Sequence, residues 1–238
     1  MILVGVDGCR AGWVAIADVD GAISLEVHQD FDALLRRWAH ADRIMVDVPI
    51  GLPSRARPSR TCDALARRIL GPRAPSVFTP PCRQAAAAQS VEEARQNNIR
   101  EVQRSISAQA WGICRKIVEV DHALRRDRDA QRRVFEVHPE VCFWALAGGV
   151  PMAHAKRISA GRQERRDLLS RWEPASGHIV ADALSRHLRR DLQEDDVLDA
   201  LVALVTARAQ ESQLRLLPES PEMDDEGLPM RMVFRGNS

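Results

Sequence analysis

No apolar run in the 238-residue sequence is long enough to cross a membrane, and lysine occurs only twice. Because the N-terminal residues are predicted to form a strand, we expect no signal peptide. The cysteines are odd in number, scattered and never arranged as CxxC: Cys9, Cys62, Cys82, Cys114 and Cys142. This pattern argues against a disulfide framework or a zinc site, and it favours the reducing cytoplasm. The absence of a membrane-spanning run predicts that the protein has no membrane partner.

A large excess of positive charge is also missing, since the formal net charge at pH 7 is +1. Any contact with nucleic acid must therefore come from local basic patches. Arginine is concentrated in three stretches, 55–83, 125–133 and 156–166. Most of these arginines are interpreted as solvated helix faces, because charged runs usually are.

The first strand is the element around which the other predictions are arranged. Residues 2–6 are apolar and largely β-branched without polar alternation, which predicts a strand buried on both faces. The strand ends in Asp7, and a carboxylate in that position is costly unless something pairs with it. Strands over 13–17 and 23–27 follow, with Gly21 marking their hairpin. Asp7 is thus either a turn residue or a ligand or catalytic acid at the mouth of the sheet.

A second unit of strand and acid follows an amphipathic helix over 31–39. The apolar strand 43–46 ends in Asp47, and it must be parallel to the first strand if the helix is a crossover. Parallel strands bring their carboxyl ends to one edge of a sheet, where open α/β sheets bind ligands. We therefore expect Asp7 and Asp47 to lie at the same edge.

The middle of the chain, residues 49–105, is predicted to be an insertion that forms a lid or cap over the site. It is rich in proline and arginine and precedes a long helix predicted over 107–126. A further strand over 133–138 ends in polar groups. Its alternation brings Glu136 and His138 onto one face of the strand.

The last long helix, predicted over 195–210, carries acids among small residues. One face is bulky and apolar, whereas the other carries Asp196 and Asp199 together with alanines. At a spacing of three residues, these two side chains have β-carbons about 5–6 Å apart. Capping and the helix dipole explain an acid at the helix start, such as Asp195, but not Asp199 one turn inside.

This order of elements predicts an α/β protein with the RNase H-like fold. The expected sheet is five-stranded and mixed, with three antiparallel and then two parallel strands, flanking helices and an insertion after strand four. We expect a single domain over 1–238 that ends in a polar tail from residue 213, with an edge strand over 228–234.

Several stretches of the sequence resemble a known family. They are GVDGCRAGWV (5–14), DVPIGLP (47–53), RTCDALARRILG (60–71), SVFTPPCR (76–83), SAQAWGICRKIVEVD (107–121), FEVHPEVCF (135–143) and DDVLDALVALVTA (195–207). Together they look like the predicted RNase H-like nucleases, a bacterial family classed as domain of unknown function 429. The last stretch is also similar to the Asp-x-x-Asp-Ala-Leu-Ala helix of Holliday-junction resolvases.

Five acids are expected to converge at the edge of the sheet: Asp7, Asp47, Glu136, Asp196 and Asp199. They require either strongly raised pKa values or divalent cations, and oxygen ligands favour Mg²⁺ or Mn²⁺. Two such ions would support hydrolysis of a phosphodiester bond. The resemblance implies that Asp7 bridges the metals, that Asp47 and Asp199 each complete one site, and that Asp196 or Glu136 is the fourth ligand.

Four more residues are predicted to contact the substrate, a nucleic acid of unknown type: Arg10, His138, Lys156 and Arg157. Arg10 is favoured because the turn after Asp7 brings it near the site. His138 either moves a proton or steers product release, unless it is a structural histidine at a strand end.

Two rival functions share the predicted fold. One is an ATP-binding phosphotransferase of the actin-like or sugar-kinase type, although the sequence lacks a threonine-rich hairpin and a second glycine-rich phosphate loop. The other is a non-catalytic module that binds nucleic acid or protein. A dinucleotide-binding fold is disfavoured because Gly5, Gly8 and Gly12 do not have GxGxxG spacing.

Overall fold

The structure, a computed structural model, describes residues 1–236; residues 237–238 of the predicted domain lie outside the described residues. The main sheet contains β1 (Ile2–Cys9), β2 (Gly12–Val19), β3 (Ala22–His28), β4 (Arg43–Val46) and β5 (Val134–Glu136), in the spatial order β3-β2-β1-β4-β5. Strands β1, β2 and β3 pair antiparallel, whereas β4 and β5 run parallel to β1. The predicted mixed sheet of the RNase H-like arrangement is therefore confirmed.

Helices flank this sheet. They are α1 (Phe31–Arg37), α2 (Thr61–Leu70), α3 (Arg83–Ala86), α4 (Val91–Val102), α5 (Ala108–Gly112), α6 (Cys114–Arg126), α7 (Arg128–Arg133), α8 (Pro139–Leu146), α9 (Ser159–Trp172), α10 (Ser176–Arg186) and α11 (Glu194–Ala207), with 3₁₀ turns at Gly71–Ser76 and Glu211–Gln213. Within residues 1–236, no helix has both the length and the apolar character that crossing a membrane requires.

Both faces of the sheet are covered. On one face, Val4 of β1 and Ile44 of β4 pack with α1 and α6. On the other face, Leu3 and Met45 pack in a core that includes α8, α9, α10 and α11. Strands β1 and β4 are therefore buried on both sides, as their uninterrupted apolar sequence predicts.

Helix α11 packs directly on the backbone of β1. A Cβ atom added to Gly5 would lie 2.2 Å from the Ala200 carbonyl oxygen and 2.2 Å from the Leu204 nitrogen. Ala203 and Ala207 of the same helix are fully buried. The side of α11 that carries small residues is thus the side that contacts the sheet, which brings the backbones of the two elements together.

Two expectations about chain course are wrong. The helix predicted over 107–126 is broken at Ile113, which has φ −112° and ψ 4° and separates α5 from α6. Gly112 precedes the break, and glycine weakens a helix by about 1 kcal/mol relative to alanine.

The expected polar tail is a β-hairpin, β6 (Leu214–Met223) and β7 (Pro229–Arg235), which forms a second sheet. Met232 of β7 packs with α2 and α8 in an apolar cluster. Met230 and Met232 of β7 are buried. The predicted edge strand over 228–234 therefore exists, but its partner is β6.

Replacing Gly5 with alanine tests the packing of α11 on β1. The added methyl group meets helix backbone, which has no flexible end to move aside, so we expect Gly5→Ala to lower the free energy of unfolding by about 3 kcal/mol. Urea-unfolding curves measure this loss. Gly177→Ala in α10 is the matched control because nothing lies within 4 Å of its added Cβ. Equal stability of the two variants would contradict the close packing.

Candidate active site

Strand register brings two acids to the same side of the sheet. Val6 pairs with Val46, and the Asp47 N–H donates to the Val6 carbonyl at 3.0 Å. Because side chains alternate along a strand, Asp7 and Asp47 point to the same face as Gly5, the face that α11 covers. The pairing expected from the two strand ends is therefore present.

Helix α11 adds two more acids at this edge. Asp199 is buried, and its Oδ2 accepts a hydrogen bond from Lys156 Nζ at 2.5 Å. Its Oδ1 is buried without a hydrogen-bond partner among the described residues. Asp196 accepts a hydrogen bond from the Gln193 N–H at 2.8 Å, so it also caps the helix.

Burial, followed by repulsion between carboxyl groups, raises the pKa values of Asp7, Asp47 and Asp196. Desolvation, followed by repulsion from Asp47 and Asp199, holds the pKa of Asp7 well above its usual range. Desolvation and then Asp199 raise the pKa of Asp47 to about 7, and desolvation raises that of Asp196 to about 6. Attraction to Asp199 raises the pKa of Lys156. At neutral pH the cluster is therefore only partly ionised unless further positive charge is added.

The acids open onto a cavity of about 580 Å³. Six residues selected from the sequence line it: Asp7, Asp47, Asp196, His138, Lys156 and Arg157. Asp199 contributes through its ion pair with Lys156. The remaining lining comes largely from the 3₁₀ turn at Gly71–Ser76, from Phe78 and from residues of α5 and α6. The insertion and the edge of the sheet thus form one pocket.

Glu136 is not brought to this pocket. It pairs in register with Val46, one residue before Asp47, so alternation turns its side chain to the opposite face. Its carboxylate accepts hydrogen bonds from the Ile50 N–H at 2.7 Å and from the Arg60 guanidinium at 2.5 Å. Glu136 therefore holds the loop that follows Asp47.

Arg10, which was also selected from the sequence, is exposed and is not among the residues that line the cavity. The β1–β2 turn directs it outward, whereas Lys116 of α6 lies beside Gly8 near the end of β1, with side-chain carbons 3.5 Å from where a Cβ of Gly8 would lie. The basic residue that lines the cavity beside the end of β1 thus comes from a helix distant in sequence.

The sequence analysis missed four charged residues that line the cavity: Arg73, Lys116, Glu140 and Arg165. Arg165 and Glu140 form a buried ion pair, with Nη2 2.5 Å from Oε1. The Lys116 ammonium lies over the Trp13 ring, 4.4 Å from its centroid. None of these residues ends an apolar strand, which was the feature used to select acids. The rarity of lysine was the one available signal for Lys116.

His138 has an environment that keeps its ring neutral. Burial lowers its pKa to about 4. Nε2 lies 3.4 Å from the Ser76 carbonyl oxygen, which assigns the ring proton to Nε2. Nδ1 has no hydrogen-bond partner within residues 1–236. At neutral pH, His138 thus lines the cavity with a neutral ring whose Nδ1 is buried.

The acid side of the cavity fits a hard divalent cation by its chemistry. Its donors are carboxylate oxygens, the kind that Mg²⁺ and Mn²⁺ prefer, and one of them, Asp199 Oδ1, is buried without a hydrogen-bond partner among the described residues. Lys156 supplies one positive charge against four carboxyl groups. The residues present therefore suit a bound cation.

A tighter group of potential ligands lies elsewhere. Among residues 1–236, the atoms of Cys62, Asp63 and Glu136 lie within 4.8 Å of one another, and Arg60 already pairs with both acids. A guanidinium at the centre disfavours a cation there. The carboxylate oxygens of the cavity aspartates lie farther apart than the ligand atoms of this trio. Binding one ion therefore requires the aspartate side chains to move closer to one another.

The structural role of Glu136 predicts a specific result for Glu136→Gln. The substitution leaves the buried Arg60 charge with a poorer partner, so we expect a loss of up to about 3–5 kcal/mol in the free energy of unfolding. Divalent metal affinity should be unchanged, because Glu136 faces away from the cavity. Urea unfolding and Mn²⁺ calorimetry measure the two quantities. Loss of metal binding in a folded Glu136→Gln variant would mean that Glu136 is a metal ligand after all.

The raised pKa of Asp47 predicts how stability depends on pH. The folded protein keeps a proton on Asp47 up to about pH 7, whereas the unfolded chain releases it near pH 4. Stability from this group is therefore lost as pH rises from 4 to 7. Since asparagine does not titrate, metal-free Asp47→Asn should match the wild type at pH 4 and exceed it at pH 8 by roughly 2–4 kcal/mol.

Thermal melts in a chelator at several pH values measure this difference. Asp129→Asn, at an exposed position of α7, is the control and should parallel the wild type at every pH. If the difference in stability between Asp47→Asn and the wild type stays constant from pH 4 to pH 8, Asp47 is already ionised in the folded protein at acid pH.

Comparison with known proteins gives one informative match. The family described as "Protein of unknown function (DUF429)" matches residues 5–223 of the 238-residue chain. Neither the curated proteins nor the solved structures contain a match to the chain. The matched range contains both strand-end acids, α11 and the cavity walls, and on this match the chain belongs to the DUF429 family.

Proposed function

We propose that this protein is a metal-dependent nuclease that hydrolyses phosphodiester bonds at the cavity beside the carboxyl ends of β1 and β4. The observation that supports it is the meeting of four aspartates at this edge with little compensating charge, and burial raises the pKa values of three of them, Asp7, Asp47 and Asp196. Perturbed carboxyl groups that converge in a cleft are characteristic of functional sites.

These four aspartates would hold Mg²⁺ or Mn²⁺, with two ions expected when substrate is bound. Such ions, when bound, stabilise the attacking and leaving oxygens of an in-line displacement. Lys156 orients Asp199 through their ion pair and limits repulsion among the acids. His138 lines the cavity with a ring that is neutral at physiological pH, and we assign it the role of moving a proton or steering product release.

Three cations of the same cavity suit the phosphate of a substrate: Arg73, Lys116 and Arg157. None of them forms an ion pair with a carboxylate within residues 1–236, so their charges are free to meet an anion. Arg73 is held on the 3₁₀ turn and Arg157 on the loop after α8, whereas Lys116 is held by the Gly12 carbonyl and the Trp13 ring. Acids for metal and cations for phosphate within one cavity favour phosphoryl chemistry over simple binding.

A nucleic-acid partner and a cytoplasmic location complete the proposal. All five cysteines are free and buried, which supports a reducing compartment.

Calorimetric titration of Mn²⁺ into metal-stripped protein tests the proposed site. The wild type should bind at millimolar or tighter affinity and hydrolyse nucleic acid only with metal, and Asp7→Asn should lose both properties while remaining folded. Asp195→Asn is the matched control, since Asp195 is adjacent to Asp196 in sequence but does not line the cavity. Metal-dependent cleavage retained in Asp7→Asn would overturn the assignment, and binding of ATP–Mg²⁺ without cleavage would favour the phosphotransferase reading.

A further inference from the structure

The shape of the cavity restricts what the proposed nuclease site can accept. Its volume of about 580 Å³ lies within the range of about 300–1,000 Å³ typical of small-molecule pockets. A site that acts in the middle of a duplex needs an open groove along the strand. The walls around the acids therefore determine which substrates can enter. Two of these walls are held in place by specific contacts.

The first wall is the 3₁₀ turn at Gly71–Ser76 with the residues that follow it. Arg67 of α2 donates to the Val77 carbonyl through Nε and to Thr79 Oγ1 through Nη2, both at 2.9 Å. The Ser76 carbonyl lies 3.4 Å from His138 Nε2 on the other side of the turn. This wall is thus fastened both to its own helix and to the end of β5.

The second wall is the loop that carries Lys156, and α9 fastens it. Glu164 accepts hydrogen bonds from the Ala153 and His154 N–H groups at 2.7 and 3.0 Å, and Arg165 donates to the His154 carbonyl at 3.1 Å. A Cβ on Gly161 would lie 2.0 Å from the Ala155 carbonyl oxygen, so the loop packs directly on the first turn of α9.

The lining between these walls has a polar part and an apolar part. The polar part contains the aspartates and the cations without carboxylate partners. The apolar part contains Val48, Pro72, Phe78 and Ile113, of which Phe78 is half-buried. A nucleotide unit has the same division, with a charged phosphate and a flat base that stacks on aromatic rings.

We propose that the cavity takes one nucleotide unit at a time, with its phosphate between the aspartates and the free cations and its base against Phe78. The substrate is then a nucleoside phosphodiester presented as a strand end or as a short free nucleotide. This inference rests on the proposed function. In the reaction, a water oxygen bonds to phosphorus as the ester P–O bond breaks, the leaving oxygen takes a proton, and the products are a nucleotide phosphomonoester and an alcohol.

Four substrates with Mn²⁺ separate the possibilities: thymidine 5′-(4-nitrophenyl) phosphate, a linear single-stranded oligonucleotide, a covalently closed single-stranded circle and a closed duplex plasmid. We expect cleavage of the thymidine ester. If the site also accepts strand ends, nucleotides are removed from the end of the linear strand. Both closed forms should be cleaved at least 100-fold more slowly than the thymidine ester. Cleavage of the closed circle as fast as the linear strand would overturn the inference and leave the nuclease proposal intact.

If the wild type cleaves none of the four, the proposed function fails, and binding decides the inference. Thymidine 5′-monophosphate should then still bind in calorimetry and lose affinity when Phe78 is replaced. Absence of such binding would overturn the inference as well.

Variants at Phe78 test the contact with the base. Loss of one stacked base corresponds to roughly a 5- to 100-fold effect, so we expect Phe78→Ala and Phe78→Leu to raise KM for the thymidine ester by that factor with little change in kcat. Phe78→Leu keeps an apolar side chain in case the alanine variant fails to fold. Ile99→Ala, at an exposed position of α4 in the same insertion, is the control and should leave both constants unchanged. Unchanged KM in a folded Phe78→Leu variant would contradict the proposed contact.

Discussion

The packing of α11 on the backbone of β1 determines where the acids of this protein meet. Gly5 leaves no side chain between strand and helix, so the helix lies directly against the strand. Asp196 and Asp199, on the same face of α11 as Ala200, are thereby brought to the end of β1, beside Asp7. A bulkier residue at position 5 would separate the two pairs of acids. The geometry of the site thus depends on a contact one turn away from it.

The protein contains two kinds of buried acid, and their partners distinguish them. Glu136 is paired with Arg60 and with a backbone N–H, which satisfies its charge and fixes a loop. Asp7 and Asp47 face other carboxyl groups, and Lys156 is shared among them. Burial raises the pKa of Glu136 to about 8 and that of Asp47 to about 7, so both arrangements lose stability as pH rises, but only the second places carboxyl groups against one another. Acids that face one another with little compensating charge are the ones to which a function is best assigned.

Those features of the site that depend on local pattern could be predicted from the sequence. An apolar run that ends in an acid identified both Asp7 and Asp47, and the spacing of small residues in the last helix identified the face of Asp196 and Asp199. Glu136 was misjudged because its side of the sheet depends on register, and a shift of one residue reverses the face. Only the observed pairing of Val46 with Glu136 shows on which face of the sheet the Glu136 side chain lies, and this pairing cannot be read from the sequence.

Other parts of the site depend on contacts between distant residues and have no local signal. Arg73 and Lys116 line one cavity although 43 positions separate them in the sequence. The hairpin of β6 and β7 was also missed, yet Asp224 in its turn accepts hydrogen bonds from the Leu52 N–H at 3.0 Å and from Arg83 at 2.7 Å. Tertiary contacts of this kind override the polar composition on which the expectation of a tail was based.

The same contacts bear on how the insertion acts. A lid that opens and closes has few buried contacts with the body it covers. Here Arg83 pairs with Asp121 of α6 as well as with Asp224, and Leu52 joins an apolar cluster that reaches Ile117 of α6. The insertion is therefore tied to the body of the fold by buried charges and by a shared core. On the proposed function, the insertion therefore acts as a wall of the site and not as a lid that opens and closes.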